Sequence, residues 1–582
     1  MSVIKSLTSD IKDYVSKAGY KEENVLLVPS GRPDLGDYQL NDAMKLSKIY
    51  NENPRDIAKK IIDELQTDKR FTNLNIAGPG FINITLTDKY LIDSLNNIYN
   101  DKYENIDIFP KKKIVLDYGG ANVSKALHVG HLRSANIGEA LKRLARTLGY
   151  EVISDAHLGD YGRPLGLVIL EIKKRYPNLA FFDESYNGDY NEINLPITNK
   201  DLEEIYPVAS SKAKEDEQYL EEARQITMKL QNNEKGYSDI WKKIIEISKK
   251  EIKKVYDEIG VSFDLWEGES DAAEYIPELL ELFNEKKIIE KSNGAEIVKV
   301  IEENETSPMP PLLLVKSNGS ISYETTDLAT ILERKKKYNP DEIWYCVDGR
   351  QSLHFEQVFR ATRKAKLIND KVKLEFIGFG TMNGKDGKPF KTRDGGVMTL
   401  KGLIDLVTEE TLKRINKDIV EEDKRDETAK TIAIAALKYT DLLPYRGTDY
   451  VFEVEKFADL EGKTGPYLLY STIRMKSLLL KAKNINYKKM TILSTTTEKE
   501  IALTLLKLPT ILEKSLESKS LNEIAEYIYK LTSIYNKFYS ENKILIEKEE
   551  EKRDSWLVLT EIVYNTNKLL LDIMGIKVPE KM

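Results

Sequence analysis

Residues 113–162, KIVLDYGGANVSKALHVGHLRSANIGEALKRLARTLGYEVISDAHLGDYG, decide how the chain folds. Ile114 to Asp117 make a short apolar run that stops at Gly119-Gly120, as a buried strand stops at a turn. Leu132, Ile137, Leu141, Leu144 and Leu148 then recur at helical spacing, with Arg143 and Arg146 in the last turns and Gly149 as a C-terminal stop. Glu151 to Asp155 reads as a second strand. Strand, helix and strand in so short a span predict a βαβ unit. Its chemistry belongs where the first strand hands over to the helix N-terminus.

That junction holds Asp117, Asn122, Lys125 and the tetrad His128-Val129-Gly130-His131. His128 and His131 lie three apart at the helix start, so both imidazoles can face one side, and Gly130 lets a flat ring approach the backbone. A helix N-terminus favours phosphate, and two imidazoles plus Lys125 can stabilise charge that grows on it during displacement. An isolated HxGH would equally suit metal ligation or satisfied polar groups. The chain's four histidines, 128, 131, 157 and 354, all lie in short glycine- or acid-rich strand-end segments, which favours the nucleotide.

ANVSKALHVGH resembles the first signature, the HIGH motif, of class I aminoacyl-tRNA synthetases. With its flanks, DYGGANVSKALHVGHLRS followed by HLGDYGRPLG, the segment is similar to arginyl-tRNA synthetases, most closely the bacterial branch. The resemblance implies a Rossmann-type α/β parallel-sheet catalytic core, an N-terminal α/β added domain and a C-terminal all-α helical bundle. It extends over nearly the whole chain.

Composition sets the outer limits. The 582 residues, 41% hydrophobic and 31% charged, describe a globular chain with room for three or four domains. Eighty-eight Lys+Arg against 95 Asp+Glu leave a net charge of −7, so a nucleic-acid partner would need local basic surfaces. The single cysteine, Cys346, excludes an internal disulfide and a multi-cysteine zinc site. No apolar run approaches a membrane span, and the acid-containing N-terminus is unlike a signal peptide, so a cytoplasmic protein is expected.

In chain order, residues 1–105 read as a small α/β module, helical around 4–17 and 40–65 with a strand around 81–86. LGDYQLNDAM and IAGPGFINI resemble the added domain that contacts the outer corner of tRNA. The catalytic domain spans 106–430 and carries a charged helical insertion at about 172–260. Pro311 to Val315 reads as a strand opening the second half of the nucleotide fold, followed by a turn at Asn318-Gly319. Tyr323 and Asp327, four apart on the next helix, can address one ligand. A guanidinium with five donors is matched by carboxylates and a phenol. The resemblance places Asp117, Tyr323 and Asp327 around that guanidinium, with Asn122 and Gln351 at the amino-acid end. DEIWYCVDGRQSLHF gives a second strand-to-helix junction, where His354 approaches ATP or serves as a cap.

GFGTMNGKDGKPFKTRDGG is a glycine- and lysine-rich loop whose Lys385, Lys388, Lys391 and Arg393 suit closure on a triphosphate. It is similar to the second class I signature, KMSKS, but its second lysine aligns with Thr392. In the family a lysine ahead of the HIGH motif takes over, and Lys125 holds that position. The expected catalytic set is therefore Lys125, His128, His131, Lys391 and Arg393. ATP is expected on His128, Gly130, His131, His354 and Lys391. Residues 431–582 read as helical and resemble the family's anticodon-binding bundle; Arg474, Lys476, Lys481, Lys483, Lys488 and Lys489 form a basic cluster that suits an RNA face, although charge pattern alone favours a solvated helix. Glu461-Gly462-Lys463-Thr464 is not a phosphate loop, because Phe457 occupies the place of the upstream glycine.

The expectation is an arginine–tRNA ligase using L-arginine, ATP and arginine tRNA isoacceptors. Mg²⁺ would accompany ATP without a structural metal or a protein cage, and the family default is a monomer that activates arginine only with tRNA bound. Carboxylate recognition rejects uncharged analogues by about 10⁴, so no editing domain is expected. Two other classes compete. A small-molecule nucleotidyl transferase would need no C-terminal bundle, and a non-catalytic RNA-binding relative would have lost its signature histidines or lysines.

Overall fold

The computed structural model describes residues 3–582 except 23, 33, 105, 107–109, 303–304, 306–308, 389 and 391–397. Its central sheet has four parallel strands in the order Lys373–Phe376, Glu342–Cys346, Lys113–Tyr118, Glu151–Asp155. Ile114, Val115, Leu116, Ile343 and Trp344 are buried, as expected of parallel strands covered on both faces. Strand Lys113–Tyr118 crosses to Glu151–Asp155 on one side, while Glu342–Cys346 lies on its other side. The crevice opened by that reversal of order is where an open α/β sheet binds its ligand. Register puts Tyr345, Asp117 and Asp155 in one row across three strands.

Helix Val129–Thr147 makes the crossover, ending before Gly149 at φ +85°. It is buried on nearly every side. Arg133, 1% exposed, donates Nε to Asp441 at 2.9 Å and its Nη groups to the carbonyls of Thr448 and Arg446. Asn136 donates to the other Asp441 oxygen at 2.9 Å. Further along, Arg143 reaches Asp572, and buried Lys438 donates to the Gly575 carbonyl at 2.9 Å. The helix that carries the paired histidines is thus bolted to the C-terminal helices.

The strand expected at Pro311–Val315 is present as Leu312–Val315, but it lies outside the parallel sheet. It pairs antiparallel with Ala295–Val298, which pairs with Glu290–Ser292. Only Leu312 and Leu314 are buried, the alternation of a strand with one covered face rather than two. The turn at Asn318-Gly319 is present, with Gly319 at φ +79°. The helical region expected around 40–65 divides into Ala43–Tyr50 and Pro54–Leu65. Proline supplies the first residue of the second helix, and Asn53 caps it through Arg55 N–H at 2.9 Å.

Three long helices, Asn199–Glu215, Glu217–Gln231 and Lys235–Glu258, build the insertion. The N-terminal region folds around a four-stranded antiparallel sheet and meets the segment between helices Gly465–Lys481 and Thr496–Leu505 through paired hydrogen bonds between Asn96 and Met490. The last third is helical, from Arg425–Leu442 to Glu550–Ile573. Among the described residues no helix is long and apolar enough to cross a membrane.

Breaking a buried ion pair by removing one partner costs roughly 3–5 kcal/mol, because the other charge stays buried. Arg133→Met is therefore expected to lower the thermal unfolding midpoint clearly. Adding Asp441→Leu should recover part of the loss, and equal midpoints for Arg133→Met and wild type would refute the role given to this pair.

Candidate active site

The first strand ends at Gly119, whose φ of +68° and close neighbour Phe263, 2.8 Å from where a Cβ would stand, demand glycine. The chain then returns to the helix start, where His128 is the N-cap. Its Nδ1 accepts from Gly130 N–H at 3.0 Å, and Nδ1 of His131 accepts from His128 N–H at 3.0 Å. Both Nδ1 atoms are thus acceptors, so each neutral ring carries its proton on Nε2. Burial, then the neighbouring charges of His128 and Lys125, pushes His131 down to about 3. Burial, then Lys125 and Arg350, lowers His128 as well. The paired rings, 4.0 Å apart, present neutral N–H donors across the physiological range. Met398–Leu400, the far end of the glycine-rich loop, is stitched to the same corner by Val129 N–H to Met398 O (3.1 Å) and Leu400 N–H to Leu127 O (2.8 Å). Lys391 and Arg393 lie outside the described residues.

Beside this corner stands helix Tyr323–Tyr338, capped by Ser322. Tyr323, Asp327, Thr330 and Arg334 follow at spacings of four, three and four, so one helix face descends from mouth to floor. Tyr323 is 58% exposed and Arg334 is 1% exposed. At the floor, Arg334 Nη2 donates to Asp117 at 2.7 Å and to Asp155 at 3.0 Å, and its guanidinium lies 5.4 Å from the Tyr345 ring centre. One cation thereby gathers the whole row that strand register aligned. Burial opposes the charged guanidinium, but Asp117 and Asp155 outweigh it and hold Arg334 charged. Burial raises Asp117, and Arg334 opposes the rise.

His157 completes the floor, with Nδ1 3.3 Å from Asp155 and Nε2 3.4 Å from Thr330 Oγ1. Burial works against its charge, yet Asp155 and Asp117 prevail and raise it to about 9. Asp117, Asp155 and His157 cluster closely enough to suggest a metal site. They suit one poorly, because Arg334 already bridges one oxygen of each carboxylate and the carboxylates raise the pKa of His157, which favours its protonated form.

Nearer the mouth, His354 Nε2 meets Asp327 at 2.6 Å, and its ring lies 4.8 Å from that of Tyr323. His354, expected near ATP, thus stands with the residues expected around a guanidinium. Asn122 and Gln351 are exposed at the ends of neighbouring strands, the former bridged to Gly159. Lys125 rests its ammonium 4.3 Å from the Tyr206 ring centre.

Two contributors had no local sequence signal of their own. Arg334 shares the face of Asp327, and extending that spacing by two turns would have found it. Glu269 lies beyond the insertion. The backbone of Leu158 pairs with Glu267 and Glu269, and Asp160 receives Ser270 N–H at 2.9 Å and Oγ at 2.6 Å. That brings Glu269 into the field of His157, Asp327 and Asp160, and burial above all raises it to about 7. Asp117, Asp155, Asp160, Glu269 and Asp327 thus gather around Arg334 and His157, and burial raises the pKa of Asp117, Asp160 and Glu269.

A family model described as tRNA synthetases class I (R), catalytic domain, matches residues 94–454. Arginyl tRNA synthetase N terminal domain matches 5–86, and DALR anticodon binding domain matches 468–582. The chain is 42% identical to an arginine–tRNA ligase of Alkaliphilus oremlandii and 41% to one of Agathobacter rectalis, each covered in full in both directions. Among solved structures, arginyl-tRNA synthetase from Plasmodium falciparum superposes with a TM-score of 0.82 at 26% identity, over 100% of this chain and 99% of that one. The Thermus thermophilus arginyl-tRNA synthetase shares the fold at 0.78 and 19% identity, with both chains covered in full.

The His157 titration is directly observable. Its imidazole should stay protonated at neutral pH and titrate near 9 in NMR spectra of histidine-labelled protein. Its contribution to stability should be complete below about pH 6.5 and fade as pH rises through about 9. Asp155→Asn should move the titration down, and an unshifted one would show that Asp155 is not the cause.

Proposed function

The chain belongs to the arginyl-tRNA synthetases of class I, and from that premise we propose which of its groups perform each part of the work. It is an arginine–tRNA ligase, with arginine, ATP and tRNA as substrates. The arginine carboxylate attacks the α-phosphorus of ATP, the bond to the β-phosphate oxygen breaks, and pyrophosphate leaves. A ribose hydroxyl at the tRNA 3′ end then attacks the arginyl carbonyl, and AMP departs.

The descending helix face carries our assignment of the arginine site. Asp327, Tyr323 and Glu269 surround the substrate guanidinium, and His354 orients the Asp327 carboxylate. Asp117 spends Oδ2 on Arg334, and we assign its Oδ1 to the substrate. Asn122 and Gln351 hold the amino-acid end. Nε2–H of His128 and His131, helped by Lys125, receives the negative charge that grows on the phosphates, and Gly130 leaves room for the adenine ring. Alignment and fixed donors suffice for this in-line displacement, and it needs no covalent nucleophile. Mg²⁺ would arrive with ATP and neutralise the phosphate oxygens.

For tRNA, we assign the anticodon to the helical region. An apolar groove of about 180 Å³, lined by Ile419, Leu460, Tyr470 and Met582 among others, suits an unstacked base. Arg474 is drawn into packing against the Tyr539 ring at 4.6 Å, whereas Lys481, Lys483, Lys488 and Lys489 are exposed and suit the backbone phosphates. The N-terminal region would contact the outer corner of tRNA, and we propose a cytoplasmic monomer.

Arginine-dependent exchange of pyrophosphate into ATP, with lysine as control, tests the activation step. Exchange with arginine only when tRNA is present is the expected result. Exchange without tRNA would discard that requirement, and no exchange under either condition would overturn the assignment of the site.

Glu269 makes the arginine site pH-dependent. A bound guanidinium needs the carboxylate, so KM for arginine should fall about tenfold from pH 6 to pH 8 as Glu269 ionises. Glu269→Gln should flatten that dependence. Asp327→Asn should raise KM for arginine on the order of a hundredfold with KM for ATP unchanged. A parallel rise in both constants would exclude the guanidinium role.

A further inference from the structure

Lys125 is the lysine to which we assign the triphosphate, yet it is anchored in an unusual way. It borders a cavity of about 250 Å³ whose lining includes Leu127, Glu203, Glu251, Thr399 and Lys401. Lys401 is already paired with Asp405 at 2.6 Å and Glu258 at 3.3 Å. Among the described residues no carboxylate pairs with Lys125, although two line the same cavity. Its ammonium lies instead over the face of Tyr206, 4.3 Å from the ring centre, a residue of the insertion helix Asn199–Glu215.

The choice of anchor matters. A carboxylate would hold the ammonium tightly, take its N–H donors and cancel its charge. An aromatic face attracts the cation through the ring quadrupole and leaves charge and donors available. A lysine meant for a phosphate that arrives and departs is better served by the ring.

We propose that Tyr206 is a positioning residue for arginine activation, its ring holding the Lys125 ammonium un-neutralised beside the two signature histidines. The charge of Lys125 is felt at both, where it contributes to their lowered pKa. Because Tyr206 belongs to the insertion and Lys125 to the loop ahead of the catalytic helix, a shift of the insertion would move the lysine. The proposal rests on the assignment of Lys125 to the triphosphate, and its test separates the two.

The experiment measures tRNA-supported, arginine-dependent exchange on the full chain for Lys125→Met, Tyr206→Phe, Tyr206→Leu and the Lys125→Met/Tyr206→Leu double variant. Tyr206→Leu should lower kcat about tenfold with KM for arginine unchanged, and Tyr206→Phe, which keeps the ring face, should restore it. In the Lys125→Met background the added Tyr206→Leu should change kcat by less than about twofold. An equal loss from Tyr206→Leu in both backgrounds would reveal a merely structural tyrosine and overturn the proposal. So would a Tyr206→Phe variant as slow as Tyr206→Leu, or full kcat in Tyr206→Leu while Lys125→Met is slow. Full kcat in Lys125→Met would instead remove the assignment of Lys125, and the proposal with it.

Discussion

A single buried guanidinium organises this molecule's active site. Arg334 holds Asp117 and Asp155 together across two adjacent strands and packs on Tyr345 from a third. Two carboxylates side by side in a protein interior could not both stay ionised alone. With Arg334 between them they can, and the helix that carries Arg334 is thereby fixed in height and rotation over the sheet. Asp327 and Tyr323, about two and three turns nearer the mouth, inherit that placement. The internal cation also takes up Asp155 Oδ2 and Asp117 Oδ2, leaving Asp117 Oδ1 for the role proposed for it.

The other half of the site solves a different problem. In the proposed function a triphosphate would need donors that do not titrate away, and the N-cap geometry of His128 and His131 turns both Nδ1 atoms inward as acceptors and leaves the Nε2 protons for that role. Neutral imidazoles hold their Nε2 protons well beyond neutral pH, whereas Glu269 is raised by burial to about 7 and His157 by its carboxylates to about 9. The same helix is clamped by Arg133 to Asp441 and by Arg143 to Asp572. The C-terminal helices and the corner that carries the paired histidines are therefore tied together through one helix.

Much of this was legible without coordinates. The first strand, the crossover helix and the second strand follow from periodicity and from glycines at Gly119 and Gly149, and the structure places them accordingly. The helix of Tyr323 and Asp327 follows from the same logic. Leu312–Val315 shows the limit: a run of apolar residues announces a strand but not its partner, and this one joined an antiparallel sheet. Pro54 was a readable break whose effect was to split one helical region into two.

What the sequence determined by itself is local: element type, turn positions, the histidine cap and the one-face spacing of Tyr323, Asp327 and Arg334. Each depends on contacts within a few residues, so spacing alone encodes it. What only the tertiary structure decided is who meets whom. Arg334 and Asp117 stand 217 positions apart, Glu269 comes back from beyond a long insertion, and Lys125 finds Tyr206 rather than a nearby carboxylate. The Arg334 pairing is set by burial, because a charge removed from water must find its partner wherever the packed chain delivers one.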